Sequence, residues 1–168
     1  MQVQHQIGAD IIFAFDELTT LYHDKKYQEE SLERTRRWAI RCLDEHEKLT
    51  QERHHRPYQA LFGVLQGAHF EDLRKRAAKH LGNMESSGRS FDGFGIGGAI
   101  EKARLGEIVS WVVDELPEEK PRHLLGIGEP ADLFAGVENG ADTFDCVAPT
   151  REARTSAVYS RTRSEEHT

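Results

Sequence analysis

Residues that can carry chemistry lie at the ends of four short apolar segments in this 168-residue chain, and one, Asp145, lies within a fifth. A carboxylate such as that of Asp145 can accept hydrogen bonds or attack an electrophilic carbon, and a glycine lets a ligand approach the backbone closely. Considered by itself, Asp145 has a second interpretation, because an aspartate near a strand end also caps the element that follows. The five groups are Asp16-Glu17, Gln66-Gly67, Gly97-Gly98, Gly126-Ile127-Gly128 and Asp145.

Strands and helices must position these groups. Continuous apolar character predicts buried strands within 10–15, 60–65, 91–96, 123–127 and 143–147. Apolar residues that recur at intervals of three and four predict amphipathic helices within 32–49, 70–81, 105–116 and 130–137. Strands that alternate with helices in this way predict parallel βα units in an α/β fold.

Two architectures contain such units, a doubly wound sheet and the (β/α)8 TIM barrel. A closed barrel needs at least ~200 residues, so 168 residues with five strands form only part of one. Both architectures bind ligands at the carboxyl ends of their strands. A doubly wound crevice uses two or three of those ends, whereas five in a row indicate a ring of loops around one pocket. We therefore predict a partial TIM barrel of about five βα units, with a small doubly wound domain that binds phosphate at Gly97-Gly98 as the alternative.

Composition limits the class of protein. The chain has 22 Lys and Arg against 29 Asp and Glu, and its net charge of −7 argues against binding nucleic acid by bulk charge. Two cysteines, Cys42 and Cys146, are too few for a disulfide scaffold or a four-cysteine zinc site. No apolar run reaches the ~18 residues of a membrane span, and residues 1–6 lack the pattern of a signal peptide. These features predict a cytoplasmic protein.

Six segments carry a resemblance to one protein family. The most specific is Phe-Asp-Cys-Val-Ala-Pro-Thr-Arg at 144–151, and the others lie within 14–17, 31–38, 62–67, 91–98 and 124–128. Together they resemble the tRNA-guanine transglycosylases, most closely the bacterial type, from about residue 2 to about residue 160. The resemblance implies a βα barrel that exchanges guanine at the tRNA wobble position for a 7-deazaguanine precursor of queuosine.

The resemblance assigns roles to residues at the strand ends. Asp145 matches the family's nucleophile, and a carboxylate nucleophile splits the displacement of a base into two easier steps through a covalent intermediate with ribose. Asp16 matches the acceptor that faces the N1–H and amine of guanine. Gln66 and the backbone at Gly97 and Gly98 match the donors that face its carbonyl oxygen.

Three further residues complete the implied site and its partners. Leu125 matches an apolar residue that packs on the face of the base, and Arg151 and Arg154 match arginines that contact the uridines flanking it. Planar guanidinium groups suit phosphates and base edges, so a local basic patch can bind RNA on an acidic protein. The implied partners are tRNA, guanine and 7-deazaguanine bases, and a second copy of the chain in a homodimer when the protein is full length; no membrane is expected.

The resemblance also implies a zinc cofactor, whose three cysteine ligands and one histidine lie beyond the end of this chain. The family's second catalytic carboxylate and base-stacking tyrosine lie upstream. No nucleotide cofactor is expected, because the fingerprint-like Gly93-x-Gly95-x-x-Gly98 lies in a predicted strand rather than in a strand-to-helix turn. His54-His55 lacks partner ligands at metal spacing and is predicted to be an exposed loop.

Departures from the family leave two questions open. Leu18 and Ala99 replace the usual Cys and Leu near the base substituent, so the identity of the incoming base is not fixed. The alternative to an enzyme is a non-catalytic tRNA-binding or accessory subunit of the same family. Retention of Asp16, Gln66 and Asp145 together favours the enzyme. The expected organisation is an incomplete, inactive barrel domain over 1–162, followed by a foreign or disordered tail over 163–168.

Overall fold

A five-stranded parallel sheet dominates the structure, a computed structural model that describes residues 1–160 and 164–166. The strands lie in chain order and each pairs in parallel with the next. The register places Phe13 beside Phe62, Phe62 beside Gly93 and Leu124 beside Phe144. The strands are β1 (Ile11–Phe13), β2 (Ala60–Leu65), β3 (Gly93–Ile96), β4 (Arg122–Leu124) and β5 (Thr143–Phe144).

Helices connect successive strands, and local sequence explains where several begin. The Asp24 carboxylate accepts a 2.8 Å hydrogen bond from the Tyr27 N–H and caps the longest helix, and Pro130 opens another in the first helical turn. The helices are α1 (Gln2–Ile7), α2 (Lys25–Glu52), α3 (Glu71–Gly82), a 3₁₀ turn (Lys102–Arg104), α4 (Leu105–Val113), α5 (Pro130–Glu138) and α6 (Ala148–Ala153).

The sequential strand order identifies the architecture. A doubly wound sheet has a point at which the strand order reverses, and this sheet has none. Right-handed crossovers between sequential parallel strands place all the connecting helices on one face, where α2, α3, α4 and α5 contact their neighbours in turn. The partial TIM barrel is therefore confirmed, and the doubly wound alternative is wrong.

The two faces of the sheet have different packing. Towards the helices, β2 and β3 present fully buried side chains such as Leu65, Phe94 and Ile96. On the other face, a Cβ added at Gly93 would meet the Phe62 ring at 2.5 Å. The alternating glycines of β3 therefore make room for aromatic rings on the face that lines the barrel interior, and the prediction that the Gly93-x-Gly95 pattern lies within a strand is confirmed.

The observed strands are shorter than the predicted ones at their ends. β1 spans only Ile11–Phe13 of the predicted 10–15, and Phe15 beyond its end is 69% exposed. β5 spans only Thr143–Phe144, so Asp145 is the first residue after the strand and not a residue within it. The sequence analysis did not predict α1, α6 or an antiparallel pair formed by β6 (Ala157–Tyr159) and β7 (Ser164–Glu166).

The predicted boundary at residue 162 stays a prediction, because residues 161–163 and 167–168 lie outside the described residues. Of the tail predicted over 163–168, only the backbone of 164–166 is described, and it pairs with β6. No helix in the described part of the chain is long and apolar enough to cross a membrane.

Candidate functional site

All five strands deliver predicted site residues to one edge of the sheet. Gln66 directly follows β2, Leu125 directly follows β4 and Asp145 directly follows β5, while Asp16 lies three residues beyond β1. Gly97 continues the ladder past β3, and its N–H donates to the Leu65 carbonyl oxygen at 3.0 Å. Parallel strands end at a common edge, so these residues lie along the same edge of the sheet.

Asp16 and Gln66 contact each other directly. The Gln66 Nε2 donates a hydrogen bond to the Asp16 Oδ2, and the Gln66 side chain is only 2% exposed. Burial raises the pKa of Asp16, and the hydrogen bond from Gln66 opposes this shift. The predicted acceptor and the predicted side-chain donor are therefore hydrogen-bonded to each other.

The turn after β3 lies against this pair. Gly98 has a φ of +84°, a conformation that favours glycine, and a Cβ there would collide with the Gln66 Oε1. Leu125 is half-buried next to the same turn, with its Cδ1 3.3 Å from the position that a Cβ of Gly97 would occupy. The Gly97–Gly98 backbone, Gln66 and Leu125 thus form one continuous surface.

Beneath that surface lies Arg74, a residue that the sequence analysis did not single out. Its side chain is fully buried, and burial lowers its pKa to about 10, so the guanidinium remains charged at neutral pH. It donates to three backbone carbonyl oxygens: from Nε to Ala68 at 2.8 Å, and from Nη1 to Gly97 at 2.6 Å and Leu65 at 3.4 Å. An arginine beside an apolar helical stripe ordinarily predicts a solvated position, so the sequence pattern gave no signal for this one.

Asp145 follows β5, at the opposite end of the strand order from β1 and Asp16, and is held by two donors. Its Oδ1 accepts a 2.8 Å hydrogen bond from the Gly126 N–H and lies 3.0 Å from the His123 Nε2. The other ring nitrogen of His123 lies 2.8 Å from the Thr143 Oγ1, which the pairing of His123 with Thr143 in the β4–β5 ladder explains. A hydroxyl that donates to Nδ1 leaves Nε2 as the donor to Asp145. Both contacts engage Oδ1, and the Asp145 side chain is 60% exposed to incoming groups.

The sequence analysis also missed His123. The alternation of side chains along a strand was the available signal, since His123 lies two residues before Leu125 and therefore on the same face. The ring centroids of His123 and Phe13 are 5.5 Å apart. His123 thus stands on the interior face of the sheet, beside the predicted nucleophile.

Asp142, the carboxylate nearest to Asp145 in sequence, has a different environment. Its Oδ2 accepts a 2.7 Å hydrogen bond from the Arg122 N–H and lies 3.7 Å from the Arg122 Nη1. Asp142 therefore ties the start of β5 to the start of β4. It lies at the opposite end of the short strand from Asp145.

The two predicted RNA-binding arginines follow the nucleophile on the chain. Arg151 lies in α6 and Arg154 caps its carboxyl end, and both are exposed. The structure brings neither of them into the strand-end surface formed by Asp16, Gln66 and Gly98.

The described residues do not form a metal site. They contain no group of three or more His, Cys, Asp or Glu side chains that could hold a metal ion. Cys42 is buried, and its Sγ accepts from the Phe15 N–H at 3.3 Å. His54 and His55 are exposed, as predicted. The implied zinc therefore does not fit the side chains described in this segment.

Comparison with known proteins places this geometry in context. The family model described as queuine tRNA-ribosyltransferase matches residues 1–166. The chain is 47% identical over 161 residues to the putative queuine tRNA-ribosyltransferase of Archaeoglobus fulgidus, covering 95% of this chain and 36% of that protein. It is 44% identical over 159 residues to the queuine tRNA-ribosyltransferase of Halothermothrix orenii, covering 95% of this chain and 40% of that protein.

The chain thus spans well under half the length of these relatives. The matches nevertheless extend over nearly the whole chain and include each of the five strand ends. The chain belongs to the queuine tRNA-ribosyltransferase family.

Proposed function

We propose that this chain supplies the base-exchange site of a tRNA-guanine transglycosylase, which replaces the wobble guanine of tRNA with a 7-deazaguanine precursor of queuosine. The observation that carries the proposal is the arrangement at the strand ends. There, an exposed carboxylate follows β5, and a separate group of donors and an acceptor suited to guanine follows β1, β2 and β3 along the same edge of the sheet. The family membership supports the reaction class.

Asp145 is the proposed nucleophile. Its free carboxylate oxygen attacks the anomeric carbon of the target nucleotide, so a C1′–O bond forms as the C1′–N9 bond breaks and guanine departs with the bonding electrons and gains a proton. The incoming base then loses its N9 proton, attacks C1′ and releases the carboxylate. Two displacements at the same carbon retain its configuration.

His123 and the Gly126 N–H orient this carboxylate. Both engage Oδ1, so the carboxyl plane is fixed and Oδ2 is left to attack. Holding a nucleophile in one orientation lowers the entropic part of the barrier.

Base recognition divides between one acceptor and two donors. Asp16 accepts from N1–H and the exocyclic amine, and the Gln66 amide and the Gly98 N–H donate to the carbonyl oxygen. The free site already contains the Gln66–Asp16 hydrogen bond, so binding of the base exchanges this contact for contacts with the base. Leu125 packs against the ring.

The remaining parts of the proposal concern the complete protein. Arg151 and Arg154, exposed beside the nucleophile, contact the nucleotides that flank the target base. Zinc binds through residues outside this chain, and the full-length protein acts as a cytoplasmic homodimer. No nucleotide cofactor takes part.

Exchange of radiolabelled guanine into tRNA tests the function in the full-length gene product that contains this segment. We expect exchange by the unmodified protein and none by Asp145→Asn, because an amide is a far poorer nucleophile than a carboxylate. Asp142→Asn is the matched control, since it removes the same charge three residues away and should retain exchange. Full activity of Asp145→Asn would contradict the proposal, and an inactive unmodified protein would favour a non-catalytic accessory subunit.

A further inference from the structure

Arg74 connects two of the strand ends that form the base site. Its guanidinium donates to the carbonyl oxygens of Leu65 and Ala68 around the end of β2 and of Gly97 at the end of β3. The Arg74 backbone also lies against the preceding turn, because a Cβ at Gly67 would meet its nitrogen at 2.8 Å. A buried charge that pairs with backbone carbonyls fixes the position of those carbonyls.

The hydrogen bond from Arg74 to the Gly97 carbonyl oxygen also fixes the direction of the Gly98 N–H, which belongs to the same peptide group. In a trans peptide, the carbonyl and the following N–H point in opposite directions. Arg74 draws the Gly97 carbonyl oxygen towards α3 at 2.6 Å. The Gly98 N–H therefore points away from the helix layer and towards the strand-end site.

Two buried polar atoms beside Gly98 lack partners among the described residues. They are the Arg74 Nη2, which is a donor, and the Gln66 Oε1, which is an acceptor. The Nη2 lies 3.4 Å from the position that a Gly98 Cβ would occupy, and Oε1 lies close to the same position. A donor and an acceptor that lie near one position can pair with each other when the Gln66 amide turns its Nε2 from Asp16 towards a bound base.

We propose that Arg74 is a positioning residue that aims both donors at the carbonyl of the bound base. Its hydrogen bond to the Gly97 carbonyl orients the Gly98 N–H. Its Nη2 orients the Gln66 amide by pairing with the amide Oε1. Arg74 thereby sets the preference of the site for a base with a carbonyl at this position. This inference rests on the proposed function, because it assumes that Gln66 and Gly98 read the base.

Inhibition by guanine and 6-thioguanine tests the inference in the full-length gene product. The two bases share the N1–H and the amine, and 6-thioguanine replaces the carbonyl oxygen with sulfur, a weaker acceptor. In Arg74→Met, guanine affinity should fall about 10- to 100-fold, the loss expected for one or two misdirected hydrogen bonds. The affinity for 6-thioguanine should fall by less than ~3-fold, and the KM for tRNA should stay unchanged. The unmodified protein's preference for guanine should thus be largely lost.

Two further variants separate positioning from general destabilisation. Arg74→Lys keeps a buried cation but places its three donors on one nitrogen instead of a planar fork, and should recover part of the guanine preference. Leu81→Ala removes a buried side chain from the same helix and should lower the melting temperature without changing the ratio of the two affinities.

Each outcome has one meaning. Equal losses of affinity for the two bases in Arg74→Met, which leave the ratio of the two affinities unchanged, would overturn the positioning role while leaving base exchange by the unmodified protein intact. Failure of the unmodified protein to bind guanine would instead overturn the proposed function.

Discussion

At the scale of single residues, the two important aspartates have environments that suit different tasks. Asp16 is partly buried beside Gln66, and burial raises its pKa. Asp145 is largely exposed, and its Oδ1 is engaged by two donors. A partly desolvated acceptor discriminates among bases because an unmatched base leaves it unpaired. An exposed, oriented carboxylate is accessible for attack on ribose.

The Asp16→Asn variant tests the recognition role. An asparagine presents an amide to the N1–H and amine of guanine, and the loss of a charge-assisted hydrogen bond costs about 1.5–3 kcal/mol. We expect catalytic efficiency for guanine exchange to fall about 10- to 100-fold. The measurement is kcat/KM for guanine in the full-length gene product, with Asp10→Asn as the control at the amino end of β1. Unchanged efficiency in Asp16→Asn would remove Asp16 from the site.

At the scale of elements, the sequence predicted the strands and helices that bury apolar side chains. It did not predict the elements and residues whose positions depend on polar contacts. The apolar runs of β2 and β3 and the periodicities of α2 and α3 identified these elements, because their burial depends on side-chain type. The sequence did not reveal α1, a helix of six residues whose buried residue is a histidine. The roles of Arg74 and His123 also escaped prediction, since they depend on distances to backbone atoms and side chains of other elements.

The contact between α1 and α2 is one such polar arrangement. The His5 Nε2 lies 2.9 Å from the His46 Nδ1, and both rings are buried. On their outer sides, Arg53 Nη1 lies 2.7 Å from the His5 Nδ1, and Tyr58 bridges His46 to Asp92. Burial, followed by the charge of His5, lowers the pKa of His46 to about 4.

This pair predicts acid sensitivity. His46 is neutral in the folded protein, while in the unfolded chain it takes up a proton near pH 6.5, so its contribution to stability is present above that pH and is lost as pH falls towards 4. The free energy of unfolding should decrease by up to about 2 kcal/mol between pH 6.5 and pH 5. Urea denaturation of the full-length gene product between pH 7.5 and 5 measures the effect. The variant His46→Gln should reduce the pH dependence, and a slope unchanged by this substitution would contradict the assignment.

At the scale of the whole molecule, the sheet has two open edges. β1 and β5 each pair with one neighbour among the described strands, and a cleft of about 740 Å³ opens beside β1 between α1, Phe15 and Trp38 of α2. The chain matches 36% and 40% of the length of two relatives. The sequence could predict a partial barrel from the motifs and length, whereas the positions of the two edges required the strand order.

The isolated 168-residue chain should be unstable by itself. Open parallel edges favour association with other chains, and the loss of the opposing barrel wall should cost more than the ~5–15 kcal/mol that stabilises a typical domain. We expect purified chain to be aggregated or molten, and inactive on tRNA. Size-exclusion chromatography and thermal denaturation measure this, and a monomer with a sharp cooperative transition would contradict it.

The covalent role of Asp145 is the central claim, and trapping the intermediate tests it most directly. The full-length gene product should be incubated with its tRNA and a base, and then separated by denaturing electrophoresis. The account predicts a protein–RNA adduct that survives denaturation, disappears in Asp145→Asn and persists in Asp142→Asn. An adduct that persists in Asp145→Asn and disappears in Asp142→Asn would contradict it.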